Sequence, residues 1–252
     1  MNESNYIDIK IEKDFQNFLE ILNYKIYKIS NPEIKNSIKE MHKSLYINKM
    51  LSNDLFYNSR DSIISKLELN QHLLLSSILL SLFGDNYTFF FLLRGSLENF
   101  MKCIISNTDL VSTNKFSNNL ELVLKREKNQ ILERVVRTKE KKLIKKIFNA
   151  FSSKGREELY GKYSDQIHIR TESTDFSVSH LSEFFDIENF DPNKFKKFKN
   201  NFILTVDYET MLVLLNISDL KKGKLAYEKI EYFRNYCKDD YQKMLDVVMR
   251  YL

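Results

Sequence analysis

Across its 252 residues this chain holds only five glycines and two prolines: Gly84, Gly95, Gly155, Gly161, Gly223, Pro32 and Pro192. Tight turns consume those two residue types, and a β-sandwich or a doubly wound α/β sheet needs many of them. With breakers so scarce and Leu, Ile, Lys and Glu abundant, the chain reads as long helices joined by few loops. Hydrophobic residues at 43% and charged residues at 29% supply a core and a solvated surface, so a disordered chain is excluded. The expectation is an all-α, multi-helix bundle forming one domain over residues 1–252.

Apolar periodicity places the helices. Ile11, Phe15, Phe18, Leu22, Ile26 and Ile29 recur at steps of three and four, predicting an amphipathic helix near 5–29. Ser30-Asn31-Pro32-Glu33 is a stop and restart, with a polar cap followed by proline where the first helical turn tolerates it. The next helix sets Ile34, Ile38, Met41 and Leu45 on one face, and a polar stretch at 52–60 interrupts the path. The apolar run Leu73–Phe83 is too short to span a bilayer and carries serines. It meets the turn Gly84-Asp85-Asn86, and a second apolar segment runs from Tyr87 to Ser106. A buried helical hairpin over about 70–106, central in the bundle, accounts for this pattern without a membrane.

Beyond the hairpin, residues 107–119 read as a loop and 120–151 as a charged helical region. Residues 152–156 and 170–177 read as loops. Asp191-Pro192 opens a helix whose stretch Phe202–Ile217 is largely apolar. A last helix carries Ile230, Phe233, Cys237, Tyr241, Met244 and Val248 at steps of three and four. The two cysteines, Cys103 and Cys237, form no CxxC pair, which argues against a disulfide framework and fits a reducing, cytoplasmic compartment.

Three constellations could carry chemistry. Arg94 and Glu98 lie four residues apart on the second hairpin helix and can touch. They are either an ion pair that locks the core or an anion holder with its orienting carboxylate. Tyr160, Ser164 and His168 follow one another at four-residue spacing, and Asp165 stands close enough to bias the His168 tautomer. Either His168 is a satisfied histidine near a helix C-terminus or it is a general acid and base, with Arg170 two residues on. His42, His72 and His180 sit at unrelated spacings, so no metal site and no cofactor are expected. Finally, ten Lys or Arg against three Glu fall between Lys125 and Lys146. Arg134, Arg137, Lys141 and Lys145 would form one positive stripe on a continuous helix, able to track a phosphate backbone. Lys194, Lys196, Lys197 and Lys199 interleave with Phe195 and Phe198, which would be available for stacking. The same charge runs also suit an ordinary solvated helix face, and a net charge of +5 permits an anionic partner without demanding one.

Arg94-x-x-x-Glu98 on an apolar helix, followed by Tyr160-x-x-x-Ser164-x-x-x-His168, resembles helical bacterial proteins related to the HEPN superfamily. The similarity covers about residues 73–185. It implies a helical bundle, often dimeric, and a metal-independent ribonuclease of a phage-defence or toxin system, with His168 moving a proton and Arg94 or Arg170 stabilising phosphate. The superfamily's own motif, an Arg four to six residues before a His, is absent: eleven residues separate Arg60 from His72, and nine separate Arg170 from His180. The alternative is a non-catalytic helical module that binds a protein partner or nucleic acid within a larger complex. Fourteen Tyr and nineteen Phe exceed the need of a minimal core and leave some free for such an interface.

Overall fold

The computed structural model describes residues 3–25, 29–57, 59–108, 110–168, 192–217, 224–237 and 239–251, and among these it is helical with no strand. Helix α1 (Glu3–Lys25) buries Ile7, Ile11, Phe15, Leu19 and Leu22; of the predicted face, Ile11, Phe15 and Leu22 are buried, Phe18 is half-buried, Ile29 lies beyond the helix and Ile26 lies outside the described residues. Asn31 caps α2 (Pro32–Leu55): its side chain accepts hydrogen bonds from the backbone N–H groups of Glu33 and Ile34, at 2.8 and 3.3 Å. Helices α3 (Asp61–Leu82) and α4 (Asn86–Ser106) form the expected hairpin. Gly84 turns the chain with φ 68°, a conformation that side-chain-bearing residues resist, and Asp85 caps α4 through the backbone N–H of Thr88. No helix among the described residues is long and apolar enough to cross a membrane.

The charged region is two helices rather than one. Helix α5 (Phe116–Arg134) and helix α6 (Thr138–Ser153) are separated by extended backbone at Val135 and Arg137. Adjacent β-branched residues favour that conformation, and Val135 is buried there while Val136 projects into solvent. A second correction concerns 152–156, expected as a loop. The helix continues instead through a π-helical segment, Lys154–Gly161, into α7 (Lys162–His168). The reason is tertiary: the buried hydroxyl of Tyr208 donates to the Phe151 carbonyl at 3.2 Å, where the helical ladder widens. Gly155 makes room for it, since a Cβ there would stand 2.1 Å from the Tyr208 hydroxyl. The glycine marks a close approach, not a turn.

Helix α8 (Pro192–Ile217) is the most enclosed. From Asn201 to Asn216 every residue but Leu204 is buried, so this helix, more than the hairpin, is the axis of the bundle. It packs on α2, α3, α4 and the final helix. The last apolar series is divided between α9 (Lys224–Tyr236) and α10 (Asp239–Tyr251). Gln242 caps the end of α9 by donating to the Arg234 carbonyl at 3.0 Å. All six predicted core residues, Ile230 through Val248, remain buried across the break. One hydrophobic cluster joins Ile7 near one end of the chain to Val248 near the other.

Candidate functional site

Helix α4 is not enclosed all round. Phe91, Arg94, Glu98 and Lys102, spaced by three and four, form a stripe that reaches solvent, and Phe91 is 54% exposed. The π-helical segment brings Tyr160 against this stripe. The Tyr160 hydroxyl donates to Glu98 Oε1 at 2.6 Å and accepts from Arg94 Nη2 at 2.9 Å, while Arg94 Nε donates to the same Glu98 oxygen at 3.3 Å. The guanidinium carbon lies 4.8 Å from the centre of the Tyr160 ring. Phe116 also stacks on that ring, 4.5 Å away and 11° from parallel. Ser164 donates to the Tyr160 carbonyl at 2.9 Å. Three of the residues picked from the sequence therefore meet directly, and a fourth supports them.

Arg94 carries five N–H donors, and two of them are engaged. The other three have no acceptor among the described residues, and the side chain is 29% exposed. Glu98 and Tyr160 hold the guanidinium plane still, so an incoming anion would meet a preorganised fork. Burial, and then the Glu98 carboxylate, push the Tyr160 hydroxyl above its ordinary value, with Arg94 opposing. Tyr160 is thus a neutral hydrogen-bonding pin and not a base.

The backbone of α7 is helical through His168, eight residues beyond Tyr160 and so roughly 12 Å further along the helix axis. The His168 side chain and all of Arg170 lie outside the described residues, as does His180. The four-residue basic stripe does not form on one helix. Arg134 ends α5 and donates to the Tyr251 carbonyl at 2.7 Å, Arg137 sits in the extended break, and only Lys141 and Lys145 share α6. Phe195 and Phe198 are buried, with Phe198 4.6 Å from Phe89, so they are core residues and not stacking platforms for bases. Lys199 pairs with Glu40 at 2.8 Å.

Two features escaped the sequence reading. Phe116 belongs to the Tyr160 cluster but stands far from it along the chain. A wholly buried polar group also forms behind α4, where Ser96 and Asn70 donate to the two Glu209 oxygens at 2.7 and 2.9 Å. Glu209 interrupts the apolar stretch Phe202–Ile217, and that interruption was its only signal. Burial pushes its carboxyl up to about 7 against the pull of these two donors. His42 is likewise a core residue, held by Asp14 at 2.9 Å among Phe15, Phe18 and Tyr46. Among the described residues no three His, Cys, Asp or Glu side chains gather to hold a metal ion. Cys103 and Cys237 are buried and not joined by a disulfide, and burial pushes the Cys103 thiol up to about 12, away from thiolate reactivity.

No protein-family model matches this chain, and no curated protein or solved structure is significantly similar to it.

Proposed function

We propose that this chain is an HEPN-like helical protein that engages RNA through its phosphates and acts as an effector of a phage-defence or toxin system. One observation carries the reading: Arg94, fixed by Glu98 and Tyr160 on an open face, keeps three N–H groups for an anion. Phe91 beside it and Lys102 one turn beyond Glu98 extend the face with an exposed ring and a second cation, which suits a single strand.

In this reading Arg94 holds the strand. Cleavage takes place at a phosphate further along α7, because roughly two helical turns separate the two positions. His168 takes the ribose 2′-hydroxyl proton as that oxygen bonds to the adjacent phosphorus, the bond from phosphorus to the 5′-oxygen breaks, that oxygen leaves with a proton from water, and Arg170, two residues on in the chain, offsets the phosphate charge. Fluorescence anisotropy with a labelled single-stranded RNA tests the binding. Arg94→Ala should weaken it by about tenfold, as expected for a lost charge-assisted contact. Unchanged affinity in a folded Arg94→Ala protein would overturn the reading. Cleavage is tested separately on gels, and a His168→Ala protein that cuts RNA as fast as wild type removes His168 from the chemistry.

A further inference from the structure

A second surface, on the far side of the π-helical segment, has the opposite character. Along the seam between α6 and α10 run two depressions of about 390 and 280 Å³, both open to solvent and sharing Leu143, Ile147 and Lys243. Helix α6 turns Ile144, Phe148 and Phe151 into the core, yet its next apolar edge is uncovered, and Leu143 is 55% exposed. An amphipathic helix that leaves a leucine in water beside a groove presents a face shaped for another apolar surface.

Charge narrows the choice of occupant. Lys146, Lys243 and Arg250 rim the groove, and none makes an ion pair or hydrogen bond among the described residues. Of the acids on the same walls, Asp246 accepts from Arg234 at 3.0 Å and Glu140 from the Tyr251 hydroxyl at 3.4 Å, while the exposed Glu158 stands at the Lys154 end of the groove without an ion pair or hydrogen bond among the described residues. All three acids would repel a continuous polyanion such as a nucleic-acid backbone. Discrete carboxylates on a peptide can meet the three free cations singly and avoid them. The floor of Leu143, Ile147 and Val247 suits aliphatic side chains better than bases. From Leu143 to Lys154 the groove follows α6 for roughly 16 Å, about three turns of a docked helix.

We propose that the α6–α10 groove is a docking site for an acidic amphipathic helix of a protein partner. Its apolar residues at three- and four-residue spacing enter the two depressions, and its carboxylates pair with Lys146, Lys243 and Arg250. The site is independent of the Arg94 face, so the two proposals stand or fall separately.

The test uses the full chain and a synthetic helical peptide with leucines at three- and four-residue spacing and glutamates between, against a counterpart with lysine for every glutamate. The acidic peptide should bind, and the basic one should not. Leu143→Asp should weaken binding by about tenfold or more, as truncation of a central anchor does, and Lys243→Glu should lower affinity and leave what remains less sensitive to salt. Both variants should keep wild-type RNA affinity. Binding that Leu143→Asp leaves unchanged, or equal binding of the basic peptide, overturns the proposal. Loss of RNA affinity in Leu143→Asp overturns it in favour of RNA. A concentration-dependent dimer in sedimentation, abolished by Leu143→Asp, overturns it in favour of a second copy of this chain.

Discussion

Helix α4 carries two polar clusters within five residues, and they obey opposite physics. Ser96 points inward and meets Glu209 and Asn70 in a site closed to water, where the carboxylate has two neutral donors and, among the described residues, no paired cation. Arg94 and Glu98 point outward, about a third exposed, and are paired with each other and with Tyr160. In the closed site the protein resolves an unpaired charge by letting the carboxyl keep its proton to higher pH. In the open site water screens the charges, and the guanidinium has bonding capacity left over. Burial thus turns a carboxylate into a structural part, and partial exposure keeps an arginine available for work.

The largest effect should come from removing the titration of the closed site. The folded Glu209 carboxyl holds its proton up to about pH 7, against an ordinary 4.5. Its contribution to stability is therefore full below pH 4.5 and is lost as pH rises through 7. At ~1.4 kcal/mol per pH unit, the loss by pH 8 is on the order of 3 kcal/mol. Glu209→Gln removes the charge; its one amide oxygen can go on accepting from Ser96, and Asn70, whose own oxygen has no partner, can turn its amide to accept the new N–H. Urea denaturation should therefore show the variant gaining on wild type between pH 5 and pH 8. The difference between the two proteins isolates this carboxyl, because His42 acts in the reverse sense. Burial lowers the His42 value from an ordinary 6.5, so its contribution is present above that pH and lost below. A difference that does not change with pH would break the contrast between the clusters.

Gly155→Ala strikes the joint between the two sites. The new methyl would press on the Tyr208 hydroxyl, next to Glu209, and displace the segment that presents Tyr160. Thermal or urea unfolding should show a loss of about 1–3 kcal/mol, with RNA affinity falling as well. Tyr160→Phe keeps the stacking on Phe116 but removes the pin between Arg94 and Glu98. It should cost about 1 kcal/mol in denaturant and loosen RNA binding less than Arg94→Ala does. Arg94→Gln should be the mildest for the fold, within about 1 kcal/mol of wild type, because the pair is solvent-screened. If it unfolds the protein as severely as Gly155→Ala, the open cluster is a lock after all.

The local signals proved readable where one helix contained its own explanation. The Asn31-Pro32 restart, the Gly84-Asp85 turn and the buried faces of α1 and α2 all rest on neighbours a few residues apart. The Arg94–Glu98 contact follows from i to i+4 spacing in the same way. The failures came where a distant residue decided. Ser152 to Arg156 has the composition of a loop, and only Tyr208, more than fifty residues away, turns it into a widened helix. The basic stripe assumed an unbroken helix, but burying Val135 rewarded a break. Phe195 and Phe198 looked like stacking partners because lysines flank them, and their rotation about α8 sends them into the core.

By itself the sequence determined the all-helical class, the restart at Asn31-Pro32, the turn at Gly84-Asp85 and the pairing of Arg94 with Glu98, since spacing along one helix already places those groups side by side. Only the tertiary structure decided that α8 is the axis, that Tyr160 and Phe116 complete the open cluster, and that Glu209 hides in a closed one. Those outcomes depend on which faces of separate helices lose water together. No local pattern carries that, because desolvation is a property of the packed neighbours and not of the segment itself.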